Sequence, residues 1–255
     1  MTITRKFLLA VFHAALLAGT ALPAAAQTIP ADIGQQIYQE LRAIRELLEA
    51  QQRNNAAPRP VPQAAPDDRV SLPFSDNGFS LGRNDAQLVM IEYTDYECPF
   101  CRQFHMGAFE QIRRNYIDAG KVRYVSRDFP LDMHKNAPRA AAAGRCAGEQ
   151  GKFWELRHTL IVNAANLGAD QILGYAKEAR LDLAKFRPCL QSNRYQAAIQ
   201  ADMEEGRSAG LSGTPSFIIG RVSNGRVEGI RMVGAAPYIN FAQKLDELLN
   251  AAKAN

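Results

Sequence analysis

The sequence predicts an α/β fold: a strand–helix–strand unit, a long helical insert and a strand–strand–helix unit. A separate helix and a proline-rich linker precede it. Three observations predict this. A short run rich in strand formers, residues 88–93 (LVMIEY), leads into Cys98-Pro99-Phe100-Cys101 and then a helical pattern. From residue 136 to about 210 only helical periodicities occur. Strand patterns return at 215–219 and 227–233, ahead of a last amphipathic helix.

The chain opens with Arg5 and Lys6, an apolar run over 7–17 and the small residues Ala24-Ala25-Ala26. This is the pattern of a secretory signal peptide over residues 1–26, cleaved after Ala26. The apolar run is too short for a comfortable membrane span. The chain has 255 residues and a formal charge of +4, which becomes +2 once Arg5 and Lys6 are removed. That charge is weak and dispersed, which argues against a nucleic-acid partner. Export implies an oxidising compartment, most simply the periplasm.

Residues 27–52 form a module of their own, with a helix at 31–51. Ile37, Leu41, Ile44 and Leu48 make a heptad seam between charged flanks, which suits association with further copies of the chain. Residues 53–70 carry Pro58, Pro60, Pro62 and Pro66 and little apolar content. They predict a semi-rigid, extended linker.

The globular domain spans 71–255. Its central strand is 88–93. The helix after the cysteine pair covers 102–119, with Phe104, Phe109, Ile112 and Tyr116 inward and Gly120 at its end. Residues 121–128 alternate as a second strand, parallel to the first because a helix connects them. The helical insert, about 136–210, divides into patterns at 136–150, 152–163, 169–179, 183–191 and 194–209. Asn224-Gly225 signals a type I′ hairpin, and Pro237 opens the last helix with Tyr238, Phe241, Leu245 and Leu248 on one face. A strand followed by CxxC at the head of a helix is a thioredoxin-like arrangement, so the whole reads as a thioredoxin fold with an inserted helical domain.

Three separated motifs carry a family resemblance: TDYECPFCRQFH, FPLDMHKNAPRAAAAGRCAGEQGKFWELRHTL and GTPSFIIG. Together they resemble the DsbA-like thiol–disulfide oxidoreductases, from about Leu81 onwards. The added N-terminal helix and linker resemble, in arrangement, oligomeric periplasmic proteins of the DsbC, DsbG and suppressor-of-copper-sensitivity C types.

Cys98 is the expected nucleophile, because helix N–H groups and the helix dipole stabilise a thiolate there. Cys101 is the expected resolving thiol or resting disulfide partner. As a structural staple, so short a ring would remove little unfolded-chain entropy. One CxxC without a second close pair also argues against zinc. DsbA has histidine where this sequence has Phe100, so the couple is expected between about −270 and −120 mV, the thioredoxin and DsbA values. The resemblance implies a cis Thr214–Pro215 bond facing the sulfurs, with Thr214 and Pro215 binding an extended client segment. It places Glu92, six residues before Cys98, as a buried acid that takes the resolving thiol's proton. Asp95 and Glu97 are expected to be exposed.

Four cysteines allow three pairings, and joining Cys98 to Cys101 leaves Cys146 for Cys189. That second pair is expected to be a structural disulfide, with a regulatory role as the alternative. His105 and His134 read as surface or capping residues, and no cofactor or metal site is expected. The implied partners are unfolded or misfolded exported proteins, a DsbB-like or DsbD-like membrane redox protein, and further copies of this chain. The oxidase and isomerase modes both stay open. A copper(I)-binding or holdase-type stress protein using the same thiols is the alternative, although the sequence lacks methionine- or histidine-rich tracts.

Overall fold

A computed structural model describes residues 31–56, 68–75 and 79–251. The predicted signal peptide, most of the linker and its four prolines, and the Leu48 side chain lie outside the described residues. The chain separates into two units, Met1–Val61 and Pro62–Asn255.

The first unit is helix α1, Ala31–Ala56. It runs past the predicted helix end at 51. Nothing from Gln51 to Ala56 breaks a helix, whereas a residue before proline disfavours helical geometry and Pro58 follows closely. Ile37, Tyr38, Leu41 and Ile44 are all exposed on α1. Arg42–Glu46 and Arg45–Glu49 pairs, at 3.3 and 2.8 Å, span successive turns beside them.

Among the described residues the second unit holds six strands: β1 Arg69–Pro73, β2 Phe79–Leu81, β3 Leu88–Thr94, β4 Val122–Asp128, β5 Ser216–Ser223 and β6 Arg226–Val233. They form one sheet in the order β1-β6-β5-β3-β4-β2. β3 and β4 are parallel, as the helical connection requires, and the other pairings are antiparallel. β1 and β2 were not expected. They are short edge strands, and β1 moves the start of the domain from 71 to Arg69.

The predicted single helix over 102–119 is three pieces. These are α2, Pro99–Met106; α3, Ala108–Ile112; and a π-helical turn, Arg113–Ile117. The break falls at Gly107, whose φ of −116° and ψ of −88° are not helical. Phe104 to Phe109 is a five-residue step, and the break restores the phase so that both rings face one core.

The insert comprises α4 Ala137–Gly148, α5 Phe153–Val162, α6 Ala169–Glu178, α7 Leu183–Gln191 and α8 Gln196–Ser208. It packs on one face of the sheet, against Val89, Ile91 and Tyr93 of β3. α2, α3 and the last helix, α9 Tyr238–Ala251, pack on the other face against Leu88 and Met90. The period-two alternation of β3 therefore feeds two cores, and the strand is buried along its whole length. β4 is buried throughout as well, so its arginines do not reach solvent as simple alternation would suggest. Asn224 and Gly225 at the β5–β6 turn have φ of 51° and 70°, the left-handed pair of a type I′ turn.

The register places the site. Tyr93 of β3 pairs with Ser216 of β5. The turn after β3 and the loop before β5 therefore emerge at the same edge, which brings Cys98 to Thr214.

Candidate active site

Cys98 is the N-cap of α2, with extended backbone (φ −74°, ψ 123°) and Pro99 as the first helical residue. Proline fits there because its missing N–H would have no helical partner. The Cys98 residue is 3% exposed and Cys101 1%. Both are free thiols. Cys98 Sγ lies 3.4 Å from the carbonyl oxygen of Thr214, and the Thr214–Pro215 bond is cis, as expected. The Asp95 N–H points to Cys101 Sγ at 3.5 Å.

The two thiols are driven apart in acidity. A hydrogen bond from the Cys101 thiol does most to bring the Cys98 pKa down to about 5; burial opposes this, and Thr214 and the N–H groups of Cys101 and Phe100 add to it. Burial raises Cys101 well above the ordinary thiol range, helped by its bond to Cys98 and by the negative charge of Glu92. One sulfur can therefore attack as a thiolate near neutral pH while its neighbour keeps its proton.

Glu92 is wholly buried. Its Oε2 accepts from Arg157 Nη2 at 2.5 Å and from the Tyr124 hydroxyl. Arg157 is also buried; its Nε donates to Ser126 Oγ at 3.1 Å and its Nη2 to the Tyr124 oxygen at 3.2 Å. Burial pushes the Glu92 pKa up while the Arg157 charge pulls against it. A buried carboxylate paired this way is costly to leave unpartnered, so the pair ties the insert to β3.

Asp95 is buried at 1% exposure, not exposed as expected. Oδ1 accepts the Glu97 N–H at 2.7 Å; Oδ2 accepts the Leu131 N–H at 2.7 Å and lies 2.8 Å from His134 Nδ1. Glu97 is half-buried and receives the Asn136 backbone and side-chain N–H groups, each at 2.8 Å. Both acids thus fasten the turn that carries Cys98 to the start of the insert. His105 is buried and stacked on Phe109, not on the surface. Burial, with the Arg157 and His158 charges, brings its pKa down to about 3, so the ring is neutral.

Cys146 on α4 and Cys189 on α7 form a disulfide with their Cα atoms 5.9 Å apart, as expected. Beside it Arg145 holds Asp128 and Asp202 at 2.6 and 2.5 Å, and Arg127 reaches Glu205 at 3.1 Å. Among the described residues no group of three or more His, Cys, Asp or Glu stands together as a metal site.

Residues 75–228 match the family model Thioredoxin_4, described as thioredoxin. The chain belongs to the thioredoxin-like family of DsbA-type oxidoreductases. Among solved DsbA-type structures, Wolbachia pipientis α-DsbA1 is 25% identical with a TM-score of 0.64, covering 72% of this chain and 96% of that one. Pseudomonas aeruginosa DsbA2 is 26% identical with a TM-score of 0.56, covering 69% and 96%. A protein of Salinispora arenicola named as a Na(+)/H(+) antiporter is 38% identical over 169 residues, which are 66% of this chain and 25% of that protein. This chain thus spans about a quarter of the curated relatives it matches first. Among the described residues no helix is long and apolar enough to cross a membrane.

Within this DsbA-type frame the structure brings Cys98, Cys101, Thr214 and Pro215 together, with Glu92 behind the second sulfur. Sequence reasoning missed Arg157, Tyr124 and the buried role of Asp95. One signal for Arg157 was present: Phe153, Leu156, Leu160 and Ile161 mark the inward face of α5, and Arg157 shares their spacing.

Proposed function

We propose that this chain exchanges disulfides in exported proteins through Cys98 and Cys101, in the periplasm, after removal of residues 1–26. The observation that carries this reading is the placement of Cys98 at the N-cap of α2, with its Sγ 3.4 Å from the Thr214 carbonyl oxygen and Cys101 in the first turn of the same helix; the opposed acidity of the two thiols supports it. The Cys98 thiolate attacks a client disulfide; a new S–S bond forms, the client's bond breaks, and the leaving client sulfur takes a proton. In the isomerase mode a second client thiolate then displaces Cys98. In the oxidase mode the Cys98–Cys101 disulfide passes to two client thiols, and a membrane partner re-oxidises the pair.

Glu92 is the proposed acceptor of the Cys101 proton, and Thr214 and Pro215 the proposed rest for the client chain. Phe100, Met133 and Val233 support an unfolded client. They are exposed apolar residues on the three segments that frame the sulfurs. Helix α1 is the proposed association element, because Ile37, Tyr38, Leu41 and Ile44 stand exposed among the described residues.

The test uses the mature chain and a version lacking residues 27–66 on a client with scrambled disulfides. The mature chain is expected to form oligomers and to refold the client faster than the truncated one. No exchange by either chain would end the proposal, and equal mass and equal rates would end the association and isomerase parts. Trapping of resting thiols in cells separates the modes: a reduced pair means isomerase, an oxidised pair means donor.

A further inference from the structure

His134 lies on the loop between β4 and α4, far in sequence from the cysteines, yet it contacts the turn that presents them. Its Nδ1 is 2.8 Å from Asp95 Oδ2. The Asp95 carbonyl accepts the Cys98 N–H at 3.2 Å, and the Asp95 N–H points to Cys101 Sγ. A single residue therefore links the imidazole to the frame of both sulfurs. The Asp95 carboxylate is itself fixed by the N–H groups of Glu97 and Leu131. It holds the ring in one place and favours its protonated form. The His134 side chain is 18% exposed, so it can exchange protons with water while it is held.

The charged and titratable groups around it are few. The catalytic turn supplies Asp95, Glu97 and Cys98; the ring's own loop and α4 supply Asp132, Lys135 and Arg139. Across the adjoining groove stand Arg194 and Tyr195. Burial works against the charged ring, but the bond and charge of Asp95, with the charges of Cys98 and Glu97, raise its pKa. Phe100, between the two cysteines, is apolar and offers no comparable charge.

We propose that His134, protonated and anchored by Asp95, is a positioning residue whose positive charge stabilises the Cys98 thiolate. This rests on the reading of Cys98 as the nucleophile. The imidazole donates no electrons and breaks no bond. It lowers the cost of the negative sulfur before attack, and that support fades as the ring loses its proton at higher pH.

Alkylation of Cys98 between pH 3.5 and 8 tests the idea in the mature protein, in His134→Gln and in His134→Lys. In His134→Gln the thiolate fraction near pH 5 is expected to fall about three- to tenfold, the scale of one screened charge. His134→Lys is expected to restore it. An unchanged alkylation profile in a folded His134→Gln protein would overturn the proposal. Should the variants fail to fold, NMR titration of the His134 ring in the wild type carries the test alone, because coupling is reciprocal. Oxidation of Cys98 to Cys101 removes the thiolate, so the ring midpoint is expected to drop by a similar factor; an identical midpoint in both redox states would overturn it. Insulin reduction by the wild type, run alongside, separates the two readings. Its absence with the coupling intact removes the exchange function, whereas its presence without coupling removes only the role of His134.

Discussion

Two cysteine pairs sit in one domain, and nearly everything about them differs. Cys98 and Cys101 are three positions apart in sequence, at the start of a helix, among a carbonyl, a buried acid and backbone N–H groups. Cys146 and Cys189 are separated by 43 positions and join α4 to α7 inside the insert's core. All four residues are nearly fully buried, so burial does not distinguish them. What distinguishes them is which state the surroundings favour. A helix terminus and nearby polar groups stabilise an ionised sulfur. An apolar core favours the closed, uncharged bond, which there also restrains a long stretch of unfolded chain.

The largest expected effect breaks this contrast directly. Cys98→Ser should lower exchange by about 10³-fold or more, as for loss of the nucleophile in a unit that acts together. Cys146→Ser with Cys189→Ser should leave exchange within about threefold but cost about 3–4 kcal/mol of stability. Insulin reduction reads the first quantity and urea unfolding the second. Loss of exchange in a folded double variant would make the second pair regulatory rather than structural.

How much of this contrast could be read beforehand depended on distance along the chain. The CPFC pair, the Gly213-Thr214-Pro215 loop and the strand that carries Glu92 are local patterns, and each was legible. So were the five helices of the insert, because their apolar faces repeat within each segment. The ion pairs were not. Glu92 meets Arg157 across 65 positions, and Asp95 meets His134 across 39. Charged residues default to the surface in any local reading, so burying them requires a partner that only the fold supplies. The short β2 strand failed for a related reason. Its three residues repeat too little to show a period, and pairing with β4 is what makes it a strand.

A smaller effect sharpens the contrast from the resolving side. Glu92→Gln should slow release of the mixed disulfide about 100-fold at pH 7, the low end for a lost proton acceptor. It should also make Cys101 easier to ionise, since the Glu92 charge helps hold that thiol's proton on. Quenched intermediates resolved by mass would show the mixed disulfide building up. Unchanged release, with only a loss of stability, would leave Glu92 as the buried partner of Arg157 and nothing more.

The dependence of stability on pH also separates the two pairs. Cys98 has a folded pKa lowered from 9.0 to about 5. The stability it adds is fully present above the unfolded value, and it is lost as pH falls through about 5. Cys101 is shifted the other way, so the folded protein keeps that proton throughout this range. The oxidised active site and the Cys146–Cys189 bond have no thiol protons to lose. The unfolding midpoint of the reduced protein, relative to the oxidised, should therefore climb between about pH 5 and 8 and flatten below 5. His134, with its raised pKa, acts with the opposite sign, adding stability at low pH and losing it as the ring deprotonates. A Cys98→Ala control should remove the rise. A flat difference in the unaltered protein would mean that the surroundings of Cys98 do not favour its ionised form, and the distinction between the two pairs would then rest on their spacing along the chain alone.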